Sequence, residues 1–258
     1  MAFIELKNIN KTFFPNTNRE HYALKNINLV INKGDFITII GGNGAGKSTL
    51  FNAISGVFPL DSGTITIDEK DISLTKEFER AKHISRVFQN PLDNTAPRMT
   101  VAENMALAFN RGEKRTLKFS RNKENLIFFE NLLKNLNLGL EHKINTEMGV
   151  LSGGQRQAIA LLMATMKAPQ LILLDEHTAA LDPKTQKKIM TLSEEKIKEK
   201  NLTALMITHN LQDALTYGNR MLLLHQGEIV RDFSEEEKKK LSVTDLYKIM
   251  VELDEKDN

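Results

Sequence analysis

The stretch that decides the fold is Gly41-Gly42-Asn43-Gly44-Ala45-Gly46-Lys47-Ser48, which fits the pattern G-x-x-x-x-G-K-[ST]. It follows Phe36–Ile40, a short and almost wholly apolar run that is typical of a strand covered on both faces. A helix is predicted from about Lys47 and ends at Gly56. Glycines between a buried strand and a helix turn their backbone N–H groups toward one anion, where the helix N-terminus adds positive potential. The pattern therefore predicts a phosphate-binding loop for a nucleotide.

Side chains in this loop suit the phosphates and a magnesium ion. Lys47 is predicted to neutralise the β- and γ-phosphates, and the Ser48 hydroxyl is predicted to ligate Mg²⁺. The alternative, a glycine-rich turn without function, is disfavoured by the flanking strand and helix. The residues predicted to hold the nucleotide here are Gly41, Gly42, Asn43, Gly44, Ala45, Gly46, Lys47, Ser48 and Thr49.

Two adjacent carboxylates follow another apolar run, Leu171–Leu174, which is predicted to be a strand. Asp175 suits the Mg²⁺ shell, mostly through water, because Mg²⁺ gives up its waters reluctantly. Glu176 is placed to face a water in line with the γ-phosphate and to act as general base. The alternative is an ordinary Asp-Glu pair at a strand end, which the upstream phosphate-binding loop disfavours.

Two further polar side chains are candidates for the same site. His209 follows the predicted strand Thr203–Thr208, and ligands bind beyond the carboxyl ends of parallel strands. Gly41, Asp175 and His209 are therefore expected at one sheet edge, where His209 would bond the γ-phosphate and hold the attacking water. Gln89 lies where strand patterns give way to helical ones, and its amide oxygen would reach Mg²⁺ or that water. A purely structural or solvated side chain is the alternative for both.

A second glycine-rich run, Leu151-Ser152-Gly153-Gly154-Gln155, precedes a predicted helix that continues to about Lys167. It offers a second set of backbone N–H groups to phosphate, so one chain with two such surfaces indicates a sandwiched nucleotide. The run closes a mostly helical segment, 90–167, in which helices are predicted over Val101–Phe109 and Glu124–Leu136.

The composition of the chain argues against several other classes of protein. The chain has 258 residues, and Lys+Arg 35 against Asp+Glu 33 leaves a net charge of +2, so charge gives no support to nucleic-acid binding. Because Cys is 0, the chain contains neither a disulfide framework nor a thiolate metal site. The longest apolar stretch, Ala158–Met166, falls far short of the roughly 20 residues that span a bilayer. We expect no signal peptide at the N-terminus.

The sequence of the C-terminal part predicts a β-hairpin followed by a tail. Met221–His225 and Glu228–Phe233 flank Gln226-Gly227, a pair typical of a tight hairpin turn. The tail contains the charged run Glu235–Lys240 and is expected to be a solvated helix with little chemistry. Near the N-terminus, Phe13 or Phe14 is a candidate for stacking on adenine, a core position being the alternative.

Taken in order, these pieces resemble the nucleotide-binding subunit of an ATP-binding cassette (ABC) transporter along the whole chain. The Leu-Ser-Gly-Gly-Gln run is specific to that superfamily. The matching pieces are Lys11-Thr12-Phe13, Gly41–Ser48, Gln89, Leu151–Gln155, Leu171–Glu176, Ala180-Leu181-Asp182 and His209.

The resemblance implies an α/β P-loop NTPase fold. Its parts would be a mixed sheet core, an N-terminal antiparallel β sub-domain and an inserted helical sub-domain. The chain would be a single ABC ATPase domain, 1–258, divided into a core (1–89 and 168–233), a helical insertion (90–167) and a tail (234–258).

The resemblance also implies ATP with Mg²⁺ and a head-to-tail pair of identical subunits. Ser152, Gly153, Gly154 and Gln155 of one copy would close over the ATP held by the other copy, and Asp182 would link the two sites. Phe13 becomes the expected adenine-stacking residue. Gln89 becomes the hinge that couples contact with the γ-phosphate to the helical insertion.

The implied partners are membrane permease subunits, one cytoplasmic helix of which would enter the groove beside Gln89–Thr100. The chain would lie on the cytoplasmic face of the membrane and meet an extracellular solute-binding protein only indirectly.

His177 stands where most relatives have Pro, and Asp175–Asp182 resembles a bacterial group associated with aromatic amino acids such as tryptophan or tyrosine. A soluble ABC ATPase, for example of the iron–sulfur assembly type, and an exporter of lipid or drug remain as alternatives.

Overall fold

The computed structural model describes residues 3–113 and 123–256. Residues 114–122 of the predicted helical insertion, and the two ends of the chain, lie outside the described residues. Contacts within the chain divide it into two units. The first consists of Met1–Arg80 and Leu202–Asn258, and the second of Ala81–Asn201.

Strands and helices alternate along most of the described chain. The strands are β1 (Ile4–Phe13), β2 (His21–Ile31), β3 (Phe36–Ile40), β4 (Ser62–Ile67), β5 (Lys70–Asp71), β6 (Ile84–Val87), β7 (Leu171–Asp175), β8 (Thr203–Ile207), β9 (Arg220–His225) and β10 (Glu228–Phe233). The helices are α1 (Lys47–Ser55), α2 (Glu77–Arg80), α3 (Val101–Phe109), α4 (Lys123–Lys134), α5 (Gly153–Thr165), α6 (Pro183–Glu199), α7 (Leu211–Thr216), α8 (Glu235–Lys240) and α9 (Val243–Lys256). Short 3-10 turns span Leu140–Lys143 and Met148–Val150.

The first unit contains an antiparallel sheet with the strand order β2-β1-β4-β5. In β1 the apolar side chains of Ile4, Leu6 and Ile9 are buried, as expected for strands with one face on a core. The register between β1 and β2 shifts after Leu6 and again after Ile9, which accommodates extra residues in the long hairpin. This sheet is the predicted N-terminal antiparallel β sub-domain.

The first unit also holds a mixed sheet portion in which β3 is central. β3 is parallel to both β8 and β9, and β10 pairs antiparallel with β9. All five residues of β3 are buried, which explains its apolar sequence. The carboxyl end of β3 leads directly into Gly41, so this strand positions the glycine-rich loop.

The turn between β9 and β10 is the one that the sequence predicts. Gln226 has φ 46° and Gly227 has φ 84°, and two positive φ values in succession are the mark of a tight hairpin turn that suits twisted strands. This turn contacts the glycine-rich loop, because the Gly227 N–H donates to the Ala45 carbonyl at 3.1 Å.

The tail is helical, as expected, but it is not wholly solvated. Lys238 in α8 is only 4% exposed, and its ammonium donates to the carbonyls of Tyr217 and Gly218. Burial lowers the pKa of Lys238 to about 8, because the charged form loses its water. In α9, Leu246 belongs to a buried cluster with Ile40, Ala214, Met221, Leu223 and Phe233. The tail thus contributes buried side chains to the first unit, while most of its residues stay exposed.

The second unit combines the parallel strands β6 and β7 with the helices α3 to α6. The predicted helix Val101–Phe109 is confirmed as α3, which begins with a reciprocal cap between Thr100 and Glu103. The predicted helix Glu124–Leu136 corresponds to α4, on which Phe129 and Leu133 are buried. The predicted core and insertion boundaries stay a prediction. The described residues of that insertion share this unit with β6, β7 and α6.

Within residues 3–113 and 123–256, every helix is either too short or too polar to cross a bilayer.

Candidate nucleotide-binding site

The glycine-rich loop is shaped by two positions at which the packing of the first unit admits no side chain. A Cβ atom on Gly41 would lie 2.1 Å from the Leu224 carbonyl oxygen, and one on Gly46 would lie 2.6 Å from the Ala23 carbonyl oxygen. Gly46 also has φ 98°, a left-handed conformation that ends the loop and begins α1. These two glycines therefore hold the loop against β9 and β2.

The other loop glycines face open space. A Cβ atom on Gly42 or Gly44 would meet no atom within 4 Å, so the outer side of the loop is clear. Lys47 is buried, and its ammonium donates to the carbonyls of Gly41 at 2.8 Å and Gly42 at 2.9 Å. Ser48, in the first turn of α1, is exposed. An uncovered loop, an ammonium group held beneath it and a helix N-terminus together suit a phosphate chain.

His209 lies at the same sheet edge as the loop. β3 and β8 are parallel neighbours with Ile39 opposite Ile207, so Gly41 and His209 each stand two residues beyond a paired position. The His209 side chain is exposed. The structure thus brings the predicted histidine and the loop to one edge within the first unit, as the parallel-strand rule requires.

In the second unit, Asp175 is the last residue of β7, and Gln89 follows β6, the parallel neighbour of β7. Val87 of β6 is opposite Leu174 of β7, so Asp175 is one residue and Gln89 two residues past this pair. The Asp175 carboxylate is paired with the Arg86 guanidinium, whose plane lies over the Phe88 ring with its central carbon 4.5 Å from the ring centroid. Gln89 is exposed.

Glu176 occupies a strained turn. Its φ of 47° is in the left-handed region, which costs free energy for a residue with a side chain. The turn is closed by a hydrogen bond in which the Ala179 N–H donates to the Glu176 carbonyl at 2.9 Å. The Glu176 side chain is half-buried.

His177, to which the sequence assigned no role, is a buried side chain beside Glu176. It is 2% exposed, and its Nε2 lies 2.8 Å from the Ser193 Oγ on α6. Burial lowers the pKa of His177 to about 4, because the imidazolium would lose its water. One signal in the sequence points to this contact, since Ser193 stands between Ile189 and Ile197 on the buried stripe of α6.

The second glycine-rich run forms the N-terminus of α5. Ser152 and Gln155 cap the helix reciprocally, with each side chain accepting from the other's backbone N–H. Gly154 packs so tightly on α6 that a Cβ atom would lie 2.3 Å from the Thr185 Cγ2. Asp182 caps α6 by accepting from the Thr185 N–H at 3.1 Å, and hydrogen bonds from the Thr185 side chain and then from this N–H lower the pKa of the Asp182 carboxyl.

The two candidate adenine-stacking residues differ in exposure. Phe13 is the last residue of β1, and its ring meets the Phe58 ring edge-on with 5.3 Å between centroids. The Lys11 ammonium lies 5.7 Å from the centroid of the Phe13 ring. Phe14 has φ 53° and is 63% exposed. Phe13 is therefore held by neighbours, whereas Phe14 projects from the turn.

The oxygen donors suit Mg²⁺ better than a softer metal. No cluster of three or more His, Cys, Asp or Glu side chains suited to a metal exists among the residues that the structure describes. Ser48, Gln89 and Asp175 offer a hydroxyl, an amide oxygen and a carboxylate. Mg²⁺ commonly takes one or two such protein ligands together with water and phosphate oxygens, so each of these side chains is of a type that suits it.

A protein-family model described as ABC transporter matches residues 24–179. The chain belongs to the ABC transporter family. This confirms the predicted family, the predicted fold class and ATP as the nucleotide. An ABC ATPase hydrolyses the ATP that it binds, so the chain is an enzyme.

Relatives and solved structures cover nearly the whole ABC chain. It is 44% identical over 245 residues to a tyrosine transport ATP-binding protein of Clostridioides difficile, covering 94% of this chain and 96% of that one. It is 33% identical to the phosphonates import ATP-binding protein PhnC of Lactobacillus acidophilus, with 95% and 94% covered. A dimeric post-hydrolysis structure of the ATP-binding cassette MJ0796 with ADP and Pi is 33% identical, with a TM-score of 0.77 and 90% and 98% covered.

Proposed function

We propose that this ABC ATPase powers a membrane importer, and that its solute is an aromatic amino acid such as tyrosine. The observation that carries the proposal is 44% identity to a tyrosine transport ATP-binding protein, which extends over 94% of this chain and 96% of that protein. The permease subunits would lie in the membrane, with this chain bound to their cytoplasmic side. An extracellular solute-binding protein would deliver the amino acid to the permease and meet the ATPase only indirectly.

The phosphate-binding loop would hold ATP through its backbone. Gly41–Ser48 and Thr49 would surround the phosphates, and the Lys47 ammonium would turn from the loop carbonyls toward the β- and γ-phosphates. Phe13 would contact adenine. Ser48, Gln89 and Asp175 would hold Mg²⁺. The ion, when bound, offsets negative charge on the β- and γ-phosphate oxygens. The Arg86 guanidinium already lies against the Asp175 carboxylate.

Hydrolysis would then depend on two side chains. Glu176 would accept a proton from a water molecule as the water oxygen bonds to the γ-phosphorus and the bond from that phosphorus to ADP breaks. His209 would bond the γ-phosphate and hold the attacking water in line. ADP and inorganic phosphate are the products.

Transport would follow from pairing of two copies. Ser152, Gly153, Gly154 and Gln155 of one copy would close over ATP in the other, and Asp182 would connect the two sites. The dimeric structure of the ATP-binding cassette MJ0796 supports this proposal. Gln89 would pass contact with the γ-phosphate to the helical segment after it, and the groove beside Gln89–Thr100 would receive a permease helix.

Glu176→Gln tests the assignment of the base. The variant is expected to bind ATP with unchanged affinity, to lose hydrolysis by at least about 100-fold, and to accumulate as a dimer in ATP. Glu195→Gln, on the exposed side of α6, is the matched control and should hydrolyse ATP normally. Normal turnover by Glu176→Gln would show that the base assignment is wrong.

The transport role is tested by co-purification. A hydrophobic permease that accompanies the chain, followed by ATP-dependent tyrosine uptake into vesicles, would support the importer. A soluble scaffold as the sole partner would favour an iron–sulfur type ATPase, and outward movement of solute would favour an exporter.

A further inference from the structure

We propose that the hydrogen bond between His177 and Ser193 is an anchor that positions Glu176 for hydrolysis. This inference rests on the proposed role of Glu176 as general base. His177 and Ser193 are positioning residues, since they act through the turn that carries Glu176. The contact lies entirely within the second unit, between the turn after β7 and the middle of α6.

The turn needs such support because of its conformation. Glu176 has φ 47°, and a left-handed residue that carries a side chain persists only where its surroundings hold it. On one side it is held by β7, whose last residue, Asp175, is buried. On the other side the Ala179 N–H bonds to the Glu176 carbonyl. His177 supplies a further restraint, through a side chain that is buried and bonded.

The direction of the hydrogen bond can be assigned from its neighbours. The Ser193 hydroxyl has a single proton, which it donates to the Ile189 carbonyl at 2.8 Å. Ser193 Oγ must therefore accept from His177 Nε2–H, at 2.8 Å. The imidazole thus carries its proton on Nε2. A buried donor that lost this acceptor would pay the full cost of desolvation, so the bond restrains the ring strongly.

The helix at the other end of the bond is itself fixed. At its N-terminus Asp182 caps α6 through the Thr185 N–H, and the Thr185 methyl packs on Gly154 of α5. His177 is therefore tied to a rigid element and not to a mobile loop. A displacement of about 1 Å at a reacting group is enough to lower a rate about 100-fold. Loss of an anchor one residue from Glu176 should therefore change the rate of ATP hydrolysis measurably.

The test removes the acceptor and keeps the histidine. Ser193→Ala in the full chain is expected to lower kcat for ATP hydrolysis by about 10- to 100-fold, with KM for ATP unchanged, because the phosphate-binding loop is untouched. Thr165→Val is the matched control, since it removes another buried hydroxyl-to-carbonyl bond of the same unit, on α5. Its kcat should stay at the wild-type value. Equal kcat for Ser193→Ala and Thr165→Val would overturn the inference.

A second pair of variants tests the donor. The Gln side-chain amide reaches about as far as Nε2 of histidine, so His177→Gln keeps the donor, whereas His177→Leu removes it. His177→Gln is expected to keep kcat within about 3-fold of wild type and His177→Leu to lose at least 10-fold. This pair also decides the matter if Ser193→Ala does not fold. An inactive His177→Gln with wild-type stability would overturn the inference.

A double variant separates this inference from the proposal on which it rests. In a Glu176→Gln background there is no base to position, so Ser193→Ala should lower the residual single-turnover rate by less than 2-fold. An undiminished effect in that background would overturn the anchor and leave Glu176 as the base. Normal turnover by Glu176→Gln alone would instead overturn the base assignment, and with it the purpose of the anchor.

Discussion

Adding a methyl group at Gly154 is expected to destabilise the folded chain, and removing one from Thr185 is expected to reverse that effect. A Cβ atom at Gly154 would stand 2.3 Å from the Thr185 Cγ2, well inside the 3.0 Å that real Cβ contacts keep. Overpacking of this kind costs about 1–3 kcal/mol. Alanine regains up to about 1 kcal/mol of helix propensity over glycine, so the net loss is about 0–3 kcal/mol.

Thr185→Ser removes the methyl group that causes the clash. The next atoms are the Thr185 Cβ at 3.6 Å and Oγ1 at 3.8 Å, both ordinary contacts. In this background the propensity of alanine is unopposed, so Gly154→Ala should stabilise the chain by up to about 1 kcal/mol. The coupling between the two sites is therefore about 1–3 kcal/mol, which is the overpacking cost itself.

The free energy of unfolding of the wild type, the two single variants and the double variant is measured by urea denaturation, followed by circular dichroism. Gly153→Ala is the matched control. Its added Cβ would lie 3.6 Å from the Leu181 Cδ2, so its effect should be small and independent of Thr185. The reasoning is refuted if Gly154→Ala destabilises both backgrounds equally, because the contact with α6 would then not be the cause.

The other two predictions concern His177 and the aromatic turn. Because burial lowers the pKa of His177 from 6.5 to about 4, the unfolded chain binds the proton more tightly, and the unfolding free energy falls by about 3 kcal/mol as pH drops from 6.5 to 4. Between pH 7 and pH 5, urea denaturation should therefore show that the free energy of unfolding falls by about 2 kcal/mol less in His177→Gln than in the wild type. Equal falls in the two proteins would contradict the burial argument. If Phe13 stacks on adenine, Phe13→Ala should weaken ATP binding about 10-fold and Phe14→Ala should leave it unchanged, as measured by calorimetry. The reverse order would assign adenine to the exposed Phe14.

The parts of the fold that the sequence predicts are those whose cause is local. The strand Phe36–Ile40, the loop after it and the start of α1 follow from apolar residues, glycines and spacing along one continuous stretch. The bounds of α3 were predicted to the residue, because Val101 marks the start of the apolar pattern and Thr100 caps it.

The parts that sequence reasoning missed have partners far along the chain. Glu235–Lys240 has the composition of a solvated helix, yet Lys238 is buried. Its ammonium donates hydrogen bonds to two carbonyls about 20 residues earlier in the chain. His177 is likewise explained only by Ser193, 16 residues later. Periodicity reports which face of a helix is apolar, but it does not report which distant polar group a buried side chain meets.

Leu246 connects the C-terminal helix α9 to the strand that carries the phosphate-binding loop. Leu246 shares a buried cluster with Ile40, and Ile40 is the residue immediately before Gly41. A molecule or a binding protein that pulled α9 from this cluster would loosen the packing around the strand end that carries the phosphate-binding loop. Inhibition of this ATPase through α9 therefore does not require competition with ATP for the loop itself.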